Sequence, residues 1–234
     1  MKPHVFIIAE AGVNHNGSLE LAYKLVDAAK EANADCVKFQ TYITENDTAV
    51  NCEKAEYQKT EQQESQYELL KKLELSFDDF RKIQEYCKKK GIMFLSTPFD
   101  IESLKFLEEI HMPIWKIASS EVENFQLLRE MAKTHKPIIL STGMCTIEEI
   151  SNAVDVLKKY GAGEIKILHC NTQYPTPMED VNLKAMYELK SMFQCDIGYS
   201  DHTQGIEVPI AAVAMGATTV SYTHLRAHET VLDL

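Results

Sequence analysis

Short apolar runs alternate with longer amphipathic runs along the chain. The short runs are "HVFIIAE", "DCVKFQ", "GIMFLSTPF", "PIWKIASSE", "PIILSTGM", "EIKILHC" and "CDIGYSDHT". Their length and β-branched content predict seven strands. The stretches between them carry helical spacing. In "SLELAYKLVDAAKEA", Leu21, Leu25, Ala28 and Ala29 share one face. "SFDDFRKIQEYCKKK" opens on Ser76 and Asp79, and "TIEEISNAVDVLKKY" on Thr146 and Glu149, which is the spacing of a helix N-terminal capping box. "VNLKAMYELKSMF" adds a further helix. A strand followed by a helix, repeated, predicts parallel strands covered on both faces. Either an open doubly wound sheet or a closed (β/α)8 TIM barrel meets that description. No GxGxxG follows the first strand, so the regular repeat favours the barrel.

The strands share a second pattern: each begins apolar and ends polar. Glu10 closes the first, Lys38 and Gln40 the second, and Thr97 the third. Lys116, Ser119 and Glu121 close the fourth, and Ser141 and Thr142 the fifth. Asn171 and Thr172 follow the sixth; Ser200, Asp201 and His202 close the seventh. In a barrel these ends meet at one face, where active sites lie. Two lysines and several hydroxyls gathered there make an anion cradle, with phosphate as the natural guest. Each residue also has a plainer role open to it. Lys38 and Lys116 can snorkel out of the barrel top. Glu10 and Glu121 can serve as their ion-pair partners, and Ser141, Thr142 and His202 can cap helices. His15 suits a Gly-rich turn and His169 a core position. Between Thr41 and about Ser65 the chain is polar and long, which reads as a lid over the mouth.

Composition narrows the partners. The 234 residues are 45% hydrophobic and 25% charged, ordinary for a soluble domain, and the net charge is −11. That balance argues against a nucleic-acid surface and requires any anionic substrate to be held by a local basic pocket. No apolar run reaches the ~20 residues of a membrane span, and the cytoplasm is the expected compartment. The six cysteines are scattered without a CxxC pair, which predicts reduced, buried thiols.

The ordered signatures "IIAEAGVNHNGS", "CVKFQT", "FLSTPFD", "WKIASSE", "IILSTGM", "LHCNTQYPTP" and "IGYSDHT" resemble the sialic acid synthase family, which includes N-acetylneuraminate and legionaminate synthases and spore-coat relatives. They run from the first strand to about Thr219. The resemblance implies condensation of phosphoenolpyruvate with an N-acetylated hexosamine aldehyde and water, giving a nine-carbon keto sugar acid and phosphate. The aldehyde belongs to N-acetylmannosamine or a 6-deoxy diacetamido relative. It implies that Lys38, Thr97, Lys116, Ser119, Ser141, Asn171 and Ser200 hold phosphoenolpyruvate, that Gln40 and Tyr174 line the sugar side, and that Glu10 and Glu121 move protons. His202 would ligate a divalent metal, Mn2+ or Mg2+. The resemblance also implies a homodimer for the parent protein. Alternative readings are another phosphoenolpyruvate aldol synthase and a non-catalytic binding barrel.

The chain departs from the family pattern at its end. Beyond "AMGATTV" it reads "SYTHLRAHETVLDL", where the family's second metal-binding histidine is displaced by one position, so that role is not carried to His224. The expected division is a truncated barrel domain over 1–220, incomplete at strand eight, and a foreign-looking tail over 221–234, with the family's C-terminal antifreeze-like domain missing. A chain cut in this way is expected to be unstable or inactive. Ser120 also stands where the family has a glycine.

Overall fold

A computed structural model describes residues 4–50, 52 and 65–222. The chain alternates as the polarity pattern predicts. Its elements are β1 (Phe6–Gly12), α1 (Leu19–Glu31), β2 (Cys36–Thr41), α2 (Thr44–Asp47), α3 (Gln66–Leu73), α4 (Phe77–Lys90) and β3 (Met93–Pro98). There follow α5 (Ile101–Glu109), β4 (Trp115–Ile117), α6 (Phe125–Ala132), β5 (Ile138–Ser141), α7 (Ile147–Lys159), β6 (Ile165–Cys170), α8 (Ala185–Phe193), β7 (Asp196–Asp201), α9 (Glu207–Ala214) and β8 (Thr219–Tyr222). All strand pairs are parallel, in the order β3-β2-β1-β8-β7-β6-β5-β4. This is the TIM barrel, nearly closed, with one seam. β3 and β4 are neighbours but share no ladder among the described residues.

The seam is not where the sequence placed the gap. Strand eight was expected to be incomplete, yet Thr219–Tyr222 pairs with β1 on one side and with β7 on the other. Four residues suffice because both partners supply a complete parallel register. β8 also crosses the expected 220/221 division, since Ser221 and Tyr222 belong to it. The remainder of that tail, His224 included, lies outside the described residues.

Local chemistry sets the helix boundaries. Thr146 and Glu149 form the expected capping box on α7. Ser76 Oγ accepts from the Asp79 amide at the start of α4, and Gly91, at φ +68°, ends that helix in the left-handed region. The buried face of α1 is Ala22, Leu25, Val26 and Ala29, one step round from the face read from the sequence. Leu21 and Ala28 fall on its flanks because the stripe that meets the sheet is wider than four positions.

One apolar core runs from the strand interiors to the inner faces of the helices. β7 needs a glycine at 198: a Cβ there would collide with the Thr219 carbonyl and with Leu168 Cδ2. That close approach brings β7 and β8 together below the site. Among the described residues no helix is long and apolar enough to cross a membrane, and no disulfide joins any two cysteines.

Candidate active site

Parallel strands aim alternate side chains inward, and the last inward positions of seven strands line one cavity of about 340 Å3. They are Glu10 of β1, Lys38 and Gln40 of β2, Lys116 of β4, Ser141 of β5, Cys170 of β6, Ser200 of β7 and Ser221 of β8. Ser119, Tyr174 and His202 join them from the loops that follow β4, β6 and β7. The cavity therefore opens at the C-terminal ends of the strands. β3 alone contributes nothing to its lining.

Both lysines are inside. Lys38 is 5% exposed and Lys116 4% exposed, so neither reaches bulk water. Their surroundings differ. Glu10 sits in register with Lys38 across the β1–β2 ladder and ion-pairs with it. A bulge in the ladder follows directly, between Glu10 and Gly12, and turns the loop beyond it over the mouth. Among the described residues Lys116 has no carboxylate partner. Its Nζ donates to Ser141 Oγ at 2.6 Å and to the Ile117 carbonyl at 2.9 Å. Burial, reinforced by the nearby Lys38 charge, lowers its pKa to about 7. A buried cation with neutral partners only is costly unless an anion joins it.

On the far strands, His202 Nδ1 lies 2.7 Å from the Asn171 carbonyl. A carbonyl only accepts, so Nδ1 carries the proton and the lone pair of the neutral ring is on Nε2. Nε2 stands 3.4 Å from Ser200 Oγ, and the ring packs on Tyr174 with centroids 4.2 Å apart. His202 thus offers one fixed nitrogen donor at the mouth. Among the described residues, however, no group of three His, Cys, Asp or Glu side chains is placed to hold a metal ion. The described residues do not complete a metal site.

Of the twelve residues expected at the site, nine line the cavity: Glu10, Lys38, Gln40, Lys116, Ser119, Ser141, Tyr174, Ser200 and His202. Three do not. Thr97 is buried at the end of β3 beside the seam, and its Oγ1 has no hydrogen-bond partner among the described residues. Asn171 turns Nδ2 to the Asp180 carbonyl at 2.7 Å and meets the site only through its own carbonyl, on His202. Glu121 ends a short 3-10 helix, Ser119–Glu121, and accepts from Asn124 Nδ2 at 2.9 Å and from Ser120 Oγ at 3.2 Å. Burial raises its pKa.

Other lining residues went unread in the sequence. Cys170 and Ser221 follow from strand alternation, each two residues beyond an inward neighbour. Leu70 and Leu73 lie on α3, beyond the segment read as a lid; residue 51 and residues 53–64 of that segment lie outside the described residues. His15 and His169 take the structural roles expected of them. His15 Nδ1 accepts from the Gly17 amide at 3.1 Å, and His169 Nε2 bonds the Val181 carbonyl at 2.9 Å.

Fold and cavity together define a (β/α)8 barrel with two buried lysines and several hydroxyls gathered at the C-terminal ends of its strands. Comparison with known proteins takes this further. The NeuB family model matches residues 25–230. The chain is 49% identical over 218 residues to N,N'-diacetyllegionaminic acid synthase of Campylobacter jejuni, covering 92% of this chain and 65% of that protein. It is 50% identical over 223 residues to the protein of that name from Legionella pneumophila, covering 92% and 62%. The solved structure of N-acetylneuraminic acid synthetase from Leptospira borgpetersenii, in complex with citrate, superposes with a TM-score of 0.82 at 40% identity, covering 94% of this chain and 73% of that one. The chain belongs to the NeuB family. It spans less than two thirds of the length of these two curated relatives.

Proposed function

We propose that the protein condenses phosphoenolpyruvate with an open-chain N-acetylated hexosamine aldehyde and water, giving a nine-carbon keto sugar acid and phosphate. The observation that carries this reading is the pairing of Lys38 and Lys116, both buried, in one cavity with Ser119, Ser141 and Ser200. The identity to two synthases of this type supports it.

The cradle takes the phosphate and carboxylate of phosphoenolpyruvate. Lys116 meets the ligand as the cation with no carboxylate of its own, and Ser141 turns its hydroxyl from lysine to ligand. Thr97 and Asn171 reach the ligand only after small rotations, for which the unpartnered Thr97 Oγ1 and Asn171 Oδ1 are available. Gln40 and Tyr174 face the sugar. Carbon three of phosphoenolpyruvate bonds to the aldehyde carbon, and the aldehyde oxygen takes a proton to become a hydroxyl. Water adds at carbon two and gives up a proton. Phosphate then leaves the tetrahedral carbon as the keto group forms. Glu10, beside Lys38, is placed to accept the proton of water. Glu121, whose burial favours its protonated form, is the candidate donor near the rim. Fixed cations around the departing phosphate stabilise it without reorganisation. A divalent metal, Mn2+ or Mg2+, supplies Lewis-acid polarisation of an aldehyde oxygen when bound. His202 Nε2 is one donor of a set that the described residues do not complete, and no step above depends on it.

We further read the protein as cytoplasmic and homodimeric. Cysteines without disulfides among the described residues suit a reducing compartment, and Ile206 and Ile210 on and beside α9 expose apolar surface suited to a second copy. Sedimentation of the full protein tests the dimer. The activity is tested by following phosphate released from phosphoenolpyruvate with N-acetylmannosamine or a 6-deoxy diacetamido hexose. Release that requires the acceptor, with a nine-carbon keto acid formed in equal amount, is expected. Binding of phosphoenolpyruvate without release for any such acceptor, in the full-length protein, overturns the reading.

A further inference from the structure

Most side chains lining the cavity end in polar atoms. Leu70 and Leu73 are the largest apolar ones. Three residues apart on α3, they share a helix face. The wall they make is held from three directions. Tyr42 Oη, at the end of β2, donates to the Leu70 carbonyl at 3.1 Å. The Thr44 amide on α2 donates to the carboxylate of Glu74, the residue that ends α3, at 2.9 Å. In the β1–α1 turn, Gly17 lies so close beneath that a Cβ would collide with the Lys72 carbonyl. Its φ of +72° also suits glycine alone. A wall fixed in this way presents a shape, and it offers a ligand no donor and no acceptor.

That limits what can face it. A hydroxymethyl group turned toward two leucines loses its water and gains no partner. A phosphate fares worse, and Lys71 of α3 is already committed to Glu45 and Glu74. An acetamido group carries an N–H and a carbonyl that need partners, and Gln40 presents an amide elsewhere in the cavity. What suits the leucines is a bare methyl.

Resting on the synthase reading above, we propose that Leu70 and Leu73 select the acceptor by packing on its C6 methyl, so that the substrate is a 6-deoxy acetamido sugar and not one ending in hydroxymethyl or phosphate. The test compares N-acetylmannosamine with its 6-deoxy counterpart, which differs only by the C6 hydroxyl. Phosphate release is measured for the full protein and for its Leu70→Asn, Leu73→Asn and Leu73→Met variants. The expected preference for the 6-deoxy sugar is ~10- to 100-fold in kcat/KM, the range open to an apolar pocket against an added hydroxyl. Either Asn variant should compress that ratio to within about threefold, and Leu73→Met should keep it, since an unbranched apolar side chain restores the wall. A merely structural role for α3 would lower both rates and leave the ratio unmoved. In parallel, saturation-transfer NMR with phosphoenolpyruvate present should place the strongest transfer on the C6 methyl protons, and the Asn variants should lose it. Equal kcat/KM for the two sugars, or transfer to the acetamido methyl alone, overturns this inference and leaves the synthase reading standing. No release and no transfer with either sugar overturns both.

Discussion

The two halves of the cavity solve the problem of a buried cation in opposite ways. On the β1–β2 side, Lys38 is neutralised in advance by Glu10, its register partner. On the β4–β5 side, Lys116 is held by a hydroxyl and a carbonyl, and its pKa falls to about 7. The first arrangement is stable by itself. The second leaves an unmet demand for negative charge, which the anionic substrate proposed above would satisfy. Function is thus read most directly where the structure is least comfortable.

Substitutions that reverse this contrast give the largest effects. Lys116→Met should weaken phosphoenolpyruvate binding by roughly 100-fold or more, the scale of removing one partner of a desolvated charge pair. The same change should raise stability by about 1–2 kcal/mol, because a buried cation with no counter-charge is gone. Titration calorimetry and thermal melting read the two effects, and a loss of both binding and stability would contradict the contrast. Glu10→Gln should do the opposite. It strands Lys38 and lowers stability by roughly 1–3 kcal/mol, while binding of the dianion is retained or improved because a second cation is released to it.

pH sharpens the comparison on a smaller scale. The lowered pKa of Lys116 means that the protonated, anion-binding form is lost as pH rises through about 7. Phosphate monoesters are already dianionic above about pH 6, so a fall in affinity between pH 7 and 9 reports the lysine. That fall should approach tenfold per pH unit at its upper end, and Lys116→Arg should flatten it. The smallest effect is expected at Thr97. Its buried hydroxyl has no partner among the described residues, so Thr97→Val should leave stability unchanged or raise it by up to about 1 kcal/mol. If the hydroxyl turns to the ligand, the same variant weakens phosphoenolpyruvate binding severalfold, and unchanged binding removes Thr97 from the cradle.

Much of this was legible in the chain because strand periodicity is short and strict. Lys38 and Gln40, or Lys116 and Ser119, are tied to the barrel top by the strands that carry them, and the apolar-to-polar gradient marks which end is up. Side chains reached through loops were harder to place. Glu121 follows the strand end by a 3-10 turn that carries it to the rim, where Asn124 and Ser120 take its oxygens. Asn171 lies just past its strand, where its side-chain nitrogen turns to the Asp180 carbonyl and its own backbone carbonyl orients His202. Leu70 and Leu73 were hidden for another reason. Nothing in an amphipathic helix states whether its apolar face meets the core or a cavity, and only the contacts of Tyr42, Thr44 and Gly17 decide it.

The order of the strands gives β8 an importance out of proportion to its length. With no ladder between β3 and β4 among the described residues, hydrogen bonding joins the strands of Lys38 and Lys116 only the long way round, through β1, β8, β7, β6 and β5, and packing alone joins them across the seam. Thr219–Tyr222 is the link that couples one half-site to the other. A register slip in those four residues would leave each lysine with its own neighbours and still put the pair out of reach of a single ligand.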